Sequence, residues 1–120
     1  MPAIKVLIVD DYRVLLPVAQ RTLGAMPDVT VVGAASSGEV ALSFAQIKPP
    51  HVILLEVNMP GMDGPQTTLS QGAEGATARI VFISPGDAPD AEARALDVAP
   101  AGFIPKADFA AEVQRVIARL

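Results

Sequence analysis

A chain of 120 residues with 51% hydrophobic and 18% charged residues can bury one core unaided, which excludes a disordered chain and leaves room for one domain, 1–120. With no Cys it has neither a disulfide framework nor a thiolate for catalysis or zinc, and at a net charge of −4 it lacks the basic surface that direct nucleic-acid binding requires. The opening apolar run is stopped by two aspartates after about seven residues, too short for a membrane span, so the expected location is cytoplasmic.

Short apolar runs alternate with amphipathic stretches along the whole chain, the rhythm of repeated β/α units. Strands are predicted at Ile4–Val9, Thr30–Ala34, His51–Leu55, Ile80–Ile83 and Gly102–Ile104. Most of them are apolar without alternation, as parallel strands covered on both faces are. Helices are predicted at Val14–Leu23, Gly38–Gln46, Pro65–Gln71, Pro89–Val98 and Phe109–Leu120. Ser36 followed by Glu39 has the spacing of a capping box for the second helix. The third helix has few apolar residues and carries glycines, so a short or irregular element is expected there. Asp63 and Gly64 before it read as turn chemistry. The fifth helix has the clearest face, with Phe109, Val113, Val116, Ile117 and Leu120 on one side and Asp108 as its expected N-cap. The order favours an α/β, doubly wound, five-stranded parallel sheet, flavodoxin-like with strand order 2-1-3-4-5. A site in such a sheet lies beyond the carboxyl ends of the strands.

At those ends stand Asp10 and Asp11, Glu56, Ser84 and Lys106. Three carboxylates brought together repel one another and call for a counter-charge, a divalent cation or a lysine. Oxygen ligands alone favour Mg²⁺. Glu56 has two readings of equal weight: a metal ligand, or the partner of Lys106 in a salt bridge that closes the site. His51, with no acidic neighbour in sequence, reads as a strand-start residue. Ser84 has no candidate histidine base, which excludes a serine hydrolase, and no glycine-rich phosphate loop follows the first strand. Met59 and Met62 read as packing and loop residues.

The segments KVLIVDD, VVGAASSGEVAL, HVILLEVNMPGMDG, IVFIS and GFIPK resemble, in order and spacing, the receiver domains of two-component response regulators, in particular receivers that precede helix-turn-helix output domains. The resemblance implies Mg²⁺ held by Asp10, Asp11, Glu56 and the backbone carbonyl of Asn58. It sets Glu56 at the phospho-acceptor position, Ser84 and Lys106 as the phosphoryl-sensing pair, and Phe103 as the switch aromatic. It also implies a sensor histidine kinase or other signalling protein as partner, an output domain elsewhere, and a homodimer as one arrangement.

The sequence departs from the family's pattern in four places. Glu56 replaces the phospho-accepting aspartate and carries its carboxylate roughly one bond length, about 1.5 Å, farther out. A misplacement of this size can cost about a hundredfold in rate. Pro85 follows Ser84 where receivers use a backbone N–H, which proline lacks. Ala107 follows Lys106 where many receivers have proline after a cis bond, so a trans or strained bond is expected. Ala99-Pro100 stands where a glycine usually ends the fourth helix. The reading that follows is a regulatory, non-enzymatic interaction module with weak or no phosphorylation. The competing readings are a Mg²⁺-dependent phosphotransfer receiver and, with no motif in its favour, a small-molecule-binding domain of flavodoxin-like fold.

Overall fold

Each strand sends alternate side chains to opposite faces of the sheet, and in this chain both sets are apolar, so helices cover both faces. A computed structural model describes all residues except 1, 2, 13, 14, 74 and 76. Among the described residues the elements run β1 (Ile4–Val9), α1 (Leu15–Gly24), β2 (Val29–Ala35), α2 (Gly38–Ile47), β3 (Val52–Glu56), α3 (Gly64–Ala73), β4 (Arg79–Ser84), α4 (Pro89–Asp97), β5 (Gly102–Pro105) and α5 (Phe109–Ala118). The strands form one parallel sheet in the order β2-β1-β3-β4-β5, the order expected.

On one face Val6, Ile8, Leu54, Val81, Ile83 and Ile104 meet Leu15, Ala19 and Leu23 of α1 and Phe109, Val113 and Ile117 of α5. On the other, Leu7, Val9, Ile53, Leu55, Ile80 and Phe82 meet Ala41 of α2 and Ala91 and Ala95 of α4. Met59, read as a packing residue, is buried in this second cluster. An extra residue in β2 shifts the register between Val6 and Leu7, and here Gly33 lies so close to the Phe44 ring that a Cβ would stand 2.4 Å from it. A side chain at this position would force the Phe44 ring to move.

Several expectations are corrected. Strand ends move by about one residue because ladder hydrogen bonds, not hydrophobicity, end a strand. Of the first helix, Val14 lies outside the described residues. The cap of α2 is Ser37, not Ser36: its Oγ accepts from Val40 N at 3.2 Å. Glu39 does not close a box but accepts from Met62 N, pinning the β3–α3 loop. α3 is longer than expected, and Asp63 is its cap rather than only a turn residue. Asp63 Oδ1 accepts from Gln66 N while Gln66 Oε1 accepts from Asp63 N, a reciprocal capping box. The Thr67 and Thr68 hydroxyls donate back to the carbonyls of Asp63 and Gly64, so polar bonds replace an apolar stripe. Asp108 occupies the N-cap position of α5 but makes no side-chain cap, because a turn of 3₁₀ helix over Lys106–Asp108 leads into the helix. α4 ends at Asp97, and Ala99 adopts a left-handed conformation with φ 51°, the conformation a glycine would take without strain.

Candidate functional site

The carboxyl ends of β1, β3, β4 and β5 share one rim, and the side chains placed there differ in how far water reaches them. Asp10 is fully buried, Glu56 and Ser84 are nearly so, and Asp11 is exposed. β3 ends at Glu56 itself, and Gly64 at the start of α3 packs directly beneath it: a Cβ there would meet the Glu56 carbonyl at 2.6 Å. The α3 cap and the acidic pocket are thus fixed against each other.

Lys106 leaves the end of β5 and crosses to the acids. Its Nζ lies 2.8 Å from Glu56 Oε1 and 3.2 Å from Asp10 Oδ2, and it stands over the Tyr12 ring at 5.3 Å from the centroid. The remaining oxygens use backbone donors: Asp10 Oδ1 accepts from Tyr12 N at 2.7 Å, and Glu56 Oε2 from Val57 N at 3.1 Å. Asp10 Oδ2 is buried with the lysine charge beside it but without a well-directed hydrogen bond. Tyr12 is a participant that the sequence reading missed, though an aromatic directly after the acidic pair was its visible signal.

Burial raises the carboxyl pKa of both Asp10 and Glu56. The Tyr12 N–H and Lys106 oppose it at Asp10, and Lys106 opposes it at Glu56. For Lys106 burial works against the charged form, but the hydrogen bond and charge of Glu56, with Asp10 behind them, win and hold the ammonium above its ordinary pKa. The two sides of the pair differ because the acids are deep and the ammonium is partly wet. Burial therefore governs the acids and pairing governs the lysine.

One oxygen each of Asp10, Asp11 and Glu56 can be chosen so that all lie within 4.8 Å of one another. These hard oxygens, with the poorly satisfied Asp10 Oδ2 among them, fit a divalent cation such as Mg²⁺, with Lys106 already on two of the three acids. Asn58 stands exposed two residues past Glu56.

Ser84 is on the same rim, but its hydroxyl is engaged elsewhere. It donates to Glu92 Oε1 on α4 and accepts from Gly86 N at 3.2 Å. Pro85 has no N–H, and the next one along is spent on Ser84 itself. Phe103 is partly buried against the second core cluster, its ring 6.4 Å from that of Phe82. The Lys106-Ala107 bond is trans, since no described residue has a cis peptide. His51 acts as a strand-start residue: its Nδ1 accepts from Lys5 N, and its backbone N–H donates to Lys5 O.

The model for the response regulator receiver domain family matches residues 6–118. The nitrate/nitrite response regulator NarL of Escherichia coli K12 is 38% identical over 79 residues, which are 66% of this chain and 37% of that protein. NarL of Mycobacterium tuberculosis, a transcriptional regulatory protein by its description, is 32% identical over 114 residues, 95% of this chain and 53% of that one. The solved signal receiver domain of the M. tuberculosis NarL superposes with a TM-score of 0.89 at 30% identity, covering 99% of this chain and 96% of that one. The chain therefore spans about half the length or less of these curated relatives. Fold, rim and relatives agree: this chain belongs to the response regulator receiver domain family.

Proposed function

We propose that this receiver domain works as a regulatory interaction module whose acidic pocket rests closed by an internal lysine bridge, with little or no phosphoryl acceptance at Glu56. The observation that carries this reading is the position of Lys106 Nζ, 2.8 Å from Glu56 and 3.2 Å from Asp10. The longer glutamate side chain brings its carboxylate out to the ammonium, where it is neutralised rather than free to attack. Phosphoryl transfer needs in-line positioning and donors aimed at the transferred oxygens. Here the nucleophile is displaced, Pro85 cannot donate and the Ser84 hydroxyl already has an acceptor.

A second reading, a Mg²⁺-dependent phosphotransfer receiver, is favoured by the three-carboxylate cluster and its poorly satisfied Asp10 oxygen. In that reading Asp10, Asp11, Glu56 and the Asn58 carbonyl would hold the ion, which would neutralise charge on a phosphoryl group. Lys106 would have to leave the acids first. In both readings the partner is a histidine kinase or another signalling protein. Contact would run through α4, β5 and α5, and an output domain would act on transcription as the descriptions of the relatives suggest.

Incubation with acetyl phosphate and Mg²⁺, followed by intact mass, tests the choice. The expected result is no phosphoryl adduct on the wild-type chain and incomplete modification of Glu56→Asp, because Pro85 remains. A stable adduct on the wild-type chain would overturn the first reading in favour of the second.

A further inference from the structure

Of the helices around β5, α4 has little apolar hold on the sheet. It buries two alanines, Ala91 and Ala95, and its N-cap position, Ala88, offers no side-chain hydrogen bond. Its place depends on two polar ties. Arg94 Nη2 reaches Asp63 Oδ2 at 2.5 Å, but the arginine side chain is 57% exposed and such a tie is weak. Glu92 Oε1 takes the hydroxyl hydrogen of Ser84, which is 3% exposed, so the serine end of this charge-assisted bond is shielded from water. The loop between them is closed by Gly86, with φ 88°, whose N–H donates to the same Ser84 oxygen.

A serine has one hydrogen to donate. While Glu92 holds it, Ser84 cannot donate into the pocket of Asp10, Glu56 and Lys106, and any anion held there by Lys106 must compete with Glu92 for it. We propose that Glu92 is an internal latch: its carboxylate occupies the Ser84 hydroxyl, keeps it out of the acidic pocket and fixes α4 against the end of β4. The latch couples α4 to the pocket whether or not Glu56 accepts phosphate, and so goes beyond the reading above.

Amide hydrogen exchange over residues 91–97, without metal or phosphodonor, tests the latch independently of phosphorylation. Wild type, Glu92→Ala, Glu92→Gln, Ser84→Ala and the Glu92→Ala/Ser84→Ala double variant are compared, with α5 as internal control. In Glu92→Ala, α4 should exchange about fivefold faster or more while α5 is unchanged, although alanine is the better helix former. Glu92→Gln keeps an acceptor oxygen and should stay close to wild type. Ser84→Ala should match Glu92→Ala, and the double variant should be no faster than either. Unchanged α4 exchange in Glu92→Ala would overturn the proposal. So would Glu92→Gln as fast as Glu92→Ala, which would assign the effect to charge at the helix N-terminus, or effects of the two single variants that multiply in the double.

Discussion

α4 and α5 flank the same strand and are nearly equal in length, yet they are held in different ways. α5 buries Phe109, Val113 and Ile117 in the core, whereas α4 buries two alanines and relies on Glu92 and Arg94. Apolar burial fixes an element broadly and is insensitive to small changes in the site. A few polar ties fix it only while each partner is free to make them, which makes α4 the element that the pocket can influence. The relation between Ser84 and Glu92 places that influence at a single hydrogen.

If this contrast is right, substitutions in the two helices should separate by size and by kind. Ile117→Ala removes a core side chain and should destabilise the whole domain by about 2 to 5 kcal/mol in urea unfolding. A cost below about 1 kcal/mol would mean that α5 is not the anchor described. Ala99→Gly relieves the left-handed conformation after α4 and should stabilise by about 1 kcal/mol. No gain would mean that Pro100 or its surroundings impose the turn without strain.

The acids of the pocket predict a pH effect with a definite sign. The folded pKa values of Asp10 and Glu56 lie above 3.8 and 4.5, so the native state binds more protons and loses stability as pH rises through that window. Lys106 contributes a slope of the same sign at the alkaline end, there through loss of its pairing rather than through burial of an acid. Its stabilisation is present below 10.5 and is lost as pH rises through its raised folded value. Glu56→Gln cannot ionise, so its stability relative to wild type should increase between about pH 4 and about pH 7. A decrease over that range would show that the lysine, not burial, governs Glu56. Smallest of all, Arg94→Ala should change global stability by no more than about 0.5 kcal/mol, because the arginine is largely in water.

The sheet was legible because continuous apolar runs of strand length, spaced by helical stretches, have few other solutions. β1 was read to both ends, and the strand order followed from the alternation. α3 was read poorly because its stability is polar. The Asp63 and Gln66 box and the hydroxyls of Thr67 and Thr68 leave no hydrophobic period, although the D-x-x-Q spacing was available as a signal. The rim residues were legible one by one, since strand ends are set by the same runs. Their pairings were not: for Glu56, a metal and Lys106 were equal choices on sequence, and the 2.8 Å approach of Lys106 is a distance that residue order does not encode. The engagement of Ser84 by Glu92 depends on how a loop containing Pro85 and Gly86 folds back, which local composition does not encode.

The lysine bridge is the centre of this account, and Mg²⁺ titration of wild type and Lys106→Ala by calorimetry tests it most directly. Removing the ammonium leaves Asp10, Asp11 and Glu56 without their counter-charge, so the variant should bind Mg²⁺ at least about tenfold more tightly than wild type. Equal or weaker binding in Lys106→Ala would contradict the account, because it would mean that the lysine does not compete for the charge of the pocket.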